Sequence, residues 1–161
     1  MRQLLGSARN HITFAENSNI FLKRCLGVWR LVANPGHSSV WVDFFSSFPG
    51  RGGAELRRMI EDDEPFALTG VVVAEVLQGL TRESASIEHY LAQWDMLEPR
   101  GFETYREAAR IYRAGRGEGI ALTTIDTLIA AIALEHGTSV FTLDRDFSRI
   151  AGITHLPLYR F

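Results

Sequence analysis

The sequence predicts one α/β domain, in which a short and mostly parallel central sheet is flanked by helices. Three observations carry that expectation. Ile125, Leu128, Ile129 and Ile132 recur at the i, i+3, i+4, i+7 spacing of a helix that buries one face. Ser139 to Leu143 is a short, β-rich apolar run, the pattern of a strand covered on both faces of a parallel sheet. Helical segments and short apolar runs of this kind alternate along the chain, as they do when helices pack on a parallel sheet.

Taken in order, residues 1–36 are broken by Asn10, Asn17, Ser18 and Asn19, and Asn34-Pro35-Gly36 is a strong breaker. They are expected to form an extension to a domain spanning residues 37–161, with Arg30 to Ala33 as a brief strand. Val40, Trp41, Phe44 and Phe45 make an apolar stripe that suits a short helix opened by Ser38 or Ser39. Pro49 to Gly53 reads as a loop, Ala54 to Asp63 as a polar helix facing inward through Leu56, Met59 and Ile60, and Phe66 to Leu68 as a strand.

Val71 to Leu80 carries opposed signals. Three valines favour a strand, whereas Ala74 to Gln78 favours a helix that Thr69 could cap, and the helix is the preferred reading. Ile87, Tyr90, Leu91, Trp94 and Leu97 give an amphipathic helix, followed by a turn at Pro99 to Gly101. A helix from Phe102 to Arg116 should turn Tyr105, Ala108, Ala109 and Tyr112 inward and its arginines outward, and Gly117 and Gly119 should close it. In the next helix Thr123 or Thr124 can cap the start, and Gly137 can end it in the left-handed conformation. Phe147 and Ile150 suit a last turn of helix, and Leu156 to Tyr159 a terminal strand.

Composition sets bounds. With 161 residues, 46% hydrophobic and 22% charged, the chain suits one domain with a sizeable core. A formal charge of -2 gives no global basic signature, so nucleic-acid binding would need a local patch or metal ions. The single Cys25 excludes an internal disulfide framework and fits a reducing compartment. No apolar run reaches membrane-spanning length, and the N-terminus lacks a signal-peptide core, so no membrane association and a cytoplasmic location are expected.

The chemistry is expected where acids are costly. Asp144 and Asp146 follow the strand at Ser139 to Leu143, and open parallel sheets place their sites beyond the carboxyl ends of strands. Asp126 lies in the first turn of its helix, and Glu75 on a mostly apolar one. Carboxylates gathered together raise one another's pKa unless a cation offsets them, and the hard ions Mg²⁺ or Mn²⁺ take such oxygen ligands. A metal held this way activates water against a phosphodiester. No Gly-rich phosphate loop and no zinc-type Cys/His spacing competes with that reading. Each acid also has a structural reading: Asp126 as the acid of a capping box with Thr123, Asp144 and Asp146 as caps of the last helix, Glu75 as a half-exposed helix residue with a solvated tip.

Four stretches in order resemble the successive motifs of PIN-domain proteins, and more narrowly of the VapC toxins of toxin-antitoxin pairs. They are Ser38-Ser39-Val40-Trp41-Val42-Asp43-Phe44-Phe45, Val73-Ala74-Glu75-Val76-Leu77-Gln78-Gly79, Ile125-Asp126-Thr127-Leu128-Ile129-Ala130-Ala131 and Thr142-Leu143-Asp144-Arg145-Asp146-Phe147. The resemblance implies a PIN-like fold, Mg²⁺- or Mn²⁺-dependent endoribonuclease activity on RNA, homodimers, and inhibition by a VapB-type antitoxin. It implies catalytic and metal-binding roles for Glu75, Asp126 and Asp144, with Asp146 as a further acid and Thr142 as a polar support. Arg113 and Arg116 are candidates for RNA phosphates, set against a solvated helix face.

The chain departs from the family at its first motif, which has the form V-D-S-S-V-W. His37 stands at the position of that Asp, with Asn34-Pro35-Gly36 where the preceding strand belongs. The exchange removes one negative charge from the site, which magnesium disfavours and manganese tolerates. Asp43 is no substitute, because family members often carry an acid there as well. The alternative function is therefore a PIN-fold protein that binds antitoxin or RNA and cleaves weakly or not at all. An aspartyl phosphatase built on Asp144-Arg145-Asp146 is excluded, since too little chain follows to supply its other motifs.

Overall fold

The computed structural model describes residues 30–33, 40–79 and 84–161. His37, the Asn34-Pro35-Gly36 breaker and the Ser38 or Ser39 cap lie outside the described residues. Three parallel strands form the sheet: β1 (Arg30–Val32) at the centre, β2 (Phe66–Ala67) on one side and β3 (Ser139–Phe141) on the other. Arg30 pairs with Phe66 and with Ser139, and Leu31 with Ala67 and with Val140. Isolated parallel bridges, Leu68 with Met96 and Val140 with Leu158, prolong the sheet by one rung at either edge. The expected terminal strand at Leu156 to Tyr159 is this outer rung, held by the Tyr159 N–H on the Val140 carbonyl at 2.9 Å.

The central strand precedes residue 37, where the sequence suggests that the domain begins. Leu31, Val32 and Ala33 are fully buried, and the Ala33 N–H donates to the Phe141 carbonyl at 3.0 Å. Their apolar side chains and paired backbone belong in the sheet. The breaker thus follows the strand and does not displace it, and the brief strand expected from Arg30 onward is the middle of the fold.

The helices are α1 (Val40–Phe45), α2 (Arg51–Glu61), α3 (Gly70–Gln78), α4 (Ser84–Leu91), α5 (Phe102–Gly117), α6 (Thr124–His136) and α7 (Arg145–Ile153). Helix α2 begins inside the expected Pro49 to Gly53 loop. The cause is a long-range cap: Asp43 Oδ1 accepts the Gly50 N–H and Oδ2 the Gly53 N–H, both at 2.6 Å. A Cβ on Gly53 would lie 2.6 Å from the Asp43 carbonyl carbon, so glycine lets the two helices touch backbone to backbone.

Helix α3 resolves the conflict at Val71 in favour of helix, with Thr69 Oγ1 accepting the Val72 N–H at 3.3 Å. Helix α4 stops at Leu91, well before Leu97. The backbone around Met96 is taken by the sheet instead, as the Leu97 N–H donates to the Leu68 carbonyl at 2.7 Å. The buried face of α5 is Thr104, Ala108, Ile111 and Gly115, which is rotated from the expected one and leaves Tyr105 and Ala109 exposed. Small residues win that face because α5 lies close on α6. Gly115 meets Leu122, and the Thr104 hydroxyl donates to Glu135 Oε2 at 2.8 Å.

Trp41 is fully buried and stacks on Phe45 with ring centroids 5.8 Å apart, while Phe66 meets Trp94 at 4.4 Å. Such pairs contribute about 0.5–1.5 kcal/mol each beyond their burial. The aromatic residues of α1 therefore act as core. No helix among the described residues is long and apolar enough to cross a membrane.

Candidate functional site

Asp126 is the hub of the acidic residues. It sits in the first turn of α6, 4% exposed, because Thr123 caps that helix and Asp126 completes a capping box. Its Oδ2 accepts the Thr123 hydroxyl at 2.5 Å and the Thr123 N–H at 3.2 Å, while Thr123 Oγ1 accepts the Asp126 N–H at 3.0 Å. Burial raises its pKa above the ordinary carboxylate value, and the charges of Asp144 and Asp146 add to that; the Thr123 hydrogen bonds oppose it. Capping and the chemical role are thus both open to this one side chain.

Asp144 is the N-cap of α7 and accepts the Asp146 N–H through Oδ1 at 2.7 Å. Its own N–H donates to Thr142 Oγ1 at 3.0 Å, so Thr142 fixes the turn that aims Asp144. Asp146 points along α7 and forms an ion pair with Arg149 at 2.7 Å, which engages one of its two oxygens.

Glu75 reaches the cluster from α3. Burial, with the charge of Asp126 adding to it, pushes its carboxyl up to about 7, and its buried Oε2 has no hydrogen-bond partner. Electrostatics therefore links Glu75 to Asp126, and Asp126 to Asp144 and Asp146. The expected carboxylates come from three elements, Glu75 from α3, Asp126 from α6, and Asp144 with Asp146 from the start of α7.

The group fits a hard divalent cation in donor type and in charge, since the donors are all carboxylate oxygens, they repel one another, and one is buried without a partner. The ligand shell is not preformed: among the described residues, no group of three His, Cys, Asp or Glu side chains stands close enough to hold a metal ion. Arg113 and Arg116 are exposed on α5 and do not influence the pKa of either Glu75 or Asp126.

A PIN-domain family model matches residues 38–153. The chain belongs to the PIN-domain family. It is 31% identical over 128 residues to the VapC ribonuclease Mb1587 of Mycobacterium bovis, a match that covers 77% of this chain and 96% of that relative. Identity and coverage are the same for ribonuclease VapC11 of Mycobacterium tuberculosis, and the chain thereby falls among the VapC members of the family. Among solved structures, VapBC2 of Rickettsia felis bound to a promoter DNA fragment aligns with a TM-score of 0.62 at 16% identity, over 83% of this chain and 98% of that one. DNA-bound VapBC of Salmonella typhimurium aligns with a TM-score of 0.62 at 15% identity, over 82% and 96%. At those identities the likeness is one of fold, and it is the PIN-like fold expected from the motifs.

A depression beside the acids is not apparent from residue spacing. It lies at the carboxyl end of β3, has a volume of about 320 Å³, and is lined by Asp144, Thr142, Arg145, Ser148, Tyr159 and Arg160, among others. Arg160 joins it only because the C-terminal segment pairs beside β3.

Proposed function

We propose that this PIN-domain protein is a metal-dependent endoribonuclease, the toxin of a toxin-antitoxin pair. The observation that carries the reading is the charge coupling of Asp126 to Glu75 and to Asp144, with an unpartnered buried oxygen on Glu75, in a chain whose VapC relatives are named ribonucleases. Glu75, Asp126 and Asp144 would hold a Mg²⁺ or Mn²⁺ ion, with Asp146 at the margin because of its pair with Arg149. Such an ion, when bound, would supply the Lewis acidity that activates water against the phosphodiester and stabilises the leaving oxygen. The protein supplies placement. Thr123 clamps Asp126, Thr142 and the α7 cap fix Asp144, and the Glu75 carboxyl holds a proton near neutral pH when no cation offsets the charge.

The solved VapBC complexes support a VapB-type antitoxin as the partner. A homodimer and a cytoplasmic location are proposed with it, from the motifs and the composition. A second reading has its own support. The carboxylates are not gathered into a shell and His37 replaces the first acid, which favours a PIN-fold protein that binds antitoxin or RNA and cleaves poorly.

Cleavage of an end-labelled RNA in Mg²⁺, in Mn²⁺ and in a chelator, by wild type and by His37→Asp, separates them. The toxin reading expects ion-dependent cleavage by the wild type. An inert wild type that His37→Asp converts into a nuclease establishes the binding reading.

A further inference from the structure

The depression at the carboxyl end of β3 carries two arginines and a serine among its lining residues. Arg145, Arg160 and Ser148 line it together with Asp144. Among the described residues, the side chains of Arg145, Arg160 and Ser148 have no hydrogen-bonding or ion-pair partner. That sets them apart from the five described arginines that form ion pairs. Arg30 pairs with Glu64, Arg58 with Glu55, Asp62 and Glu64, Arg106 with Glu103, Arg110 with Glu107, and Arg149 with Asp146. Arg113 and Arg116 are also unpaired and exposed, but they do not line this depression or any part of the acidic cluster.

We infer that Arg145, Arg160 and Ser148 seat a backbone phosphate of a single RNA strand next to the scissile one, an assignment that rests on the ribonuclease reading. The chain carries a formal charge of -2, so attraction to RNA has to be local, and this depression is where unpaired cationic and hydroxyl donors meet at the acids' own edge. Asp144 forms part of the same wall, so its carboxylate repels a phosphate placed directly on it. A strand crossing the depression is therefore oriented, one phosphate on the arginines and the adjoining one over Glu75, Asp126 and Asp144. Recognition of this kind reads the backbone and not the bases. Thr142 is left to hold Asp144, and the α5 arginines are left to solvent.

Fluorescence anisotropy with a labelled, mixed-sequence, single-stranded oligoribonucleotide in a chelator tests this without any cleavage. For Arg145→Ala/Arg160→Ala the affinity should fall on the order of tenfold, and the slope of log K against log salt should shrink by about 0.7 for each phosphate that is no longer neutralised. Arg145→Lys/Arg160→Lys should keep most of the affinity, and Arg113→Ala/Arg116→Ala should bind as the wild type does. Circular dichroism melting shows that each variant is folded. If the wild type binds and cleaves RNA while the alanine pair binds equally well with an unchanged slope, the phosphate seat is overturned and the ribonuclease reading stands. If the wild type neither binds nor cleaves RNA, both fall. If polyglutamate binds as tightly as the RNA and loses the same factor in the alanine pair, the depression reads charge alone and the RNA assignment is overturned.

Discussion

Thr123 and Asp126 hold each other: the hydroxyl oxygen of Thr123 accepts the Asp126 N–H at 3.0 Å, and Asp126 Oδ2 accepts the Thr123 N–H at 3.2 Å. The reciprocal bond satisfies two backbone donors at the start of α6 and fixes a buried carboxylate there. A helix cap and a candidate metal ligand are here the same side chain, so stability and activity should respond together when the pair is broken.

Thr123→Ala removes the cap oxygen and the hydroxyl donor to Asp126. The loss should be about 0.5–2 kcal/mol of stability, which for a domain of this size lowers Tm by roughly 2–4 °C per kcal/mol. Thr123→Ser keeps both groups and should restore Tm and RNA cleavage together. Thermal melting and a cleavage assay on the two variants check it; a Thr123→Ala protein with unchanged Tm contradicts the capping account.

Asp126→Asn and Asp126→Ala should part company. Asparagine keeps an oxygen to accept the Thr123 N–H and removes a buried charge that Asp144 and Asp146 repel, so without metal it should melt at or above the wild-type temperature. Alanine keeps the Thr123 cap but loses the acceptor for the Thr123 N–H and hydroxyl, and should melt lower than asparagine. Both should be inactive on RNA. Equal melting of the two variants would show that the side-chain half of the capping box contributes nothing.

The raised pKa of Glu75 gives a pH signature. Folded Glu75 keeps its proton up to about 7, whereas the unfolded chain releases it near 4.5. Between those values the folded state binds more protons, so stability without divalent ions should fall as pH rises through that window. Asp126 is also raised and acts with the same sign. Glu55, Glu64 and Glu107 are lowered by their arginine partners, so their contributions are lost only at lower pH, outside the window. Glu75→Gln should flatten the profile, as should saturating Mn²⁺. Chemical denaturation at a series of pH values reads this directly, and a wild-type profile that rises from pH 4.5 to 7 contradicts it.

The contact between α1 and α2 admits no side chain. A Cβ at position 53 would meet backbone atoms of Asp43 and Phe44 at 2.6–2.7 Å, so Gly53→Ala should cost about 1–3 kcal/mol, as overpacked cores do. Asp43→Asn, which retains one acceptor for the Gly50 and Gly53 N–H groups, should cost less than Asp43→Ala. Urea unfolding of the three variants ranks them; a stable Gly53→Ala protein would show that the helices separate freely.

What could be read in the sequence was local. Thr69 and Thr123 as caps, Gly137 in the left-handed conformation and Asp144 at the start of α7 all follow from residue chemistry within a few positions. What escaped was set by interactions between distant segments. Asp43 starts α2 inside an apparent loop, Leu68 takes the backbone around Met96 from α4, and Gly115 against Leu122 turns the face of α5. The same holds at the site. Each acid was evident from its motif, while their meeting and the place of Arg160 depend on how β1 and the C-terminal segment pair around β3.

The proposed function depends on Glu75, Asp126 and Asp144 closing on one ion. Calorimetric titration of Mn²⁺ into wild type, Glu75→Gln, Asp126→Asn and Asp144→Asn tests this most directly. The wild type should bind, and each single substitution should weaken binding at least about tenfold, or 1.4 kcal/mol. Wild-type Mn²⁺ affinity that survives in any one of the three would remove that carboxylate from the site, and survival in all three would contradict the shared ion outright.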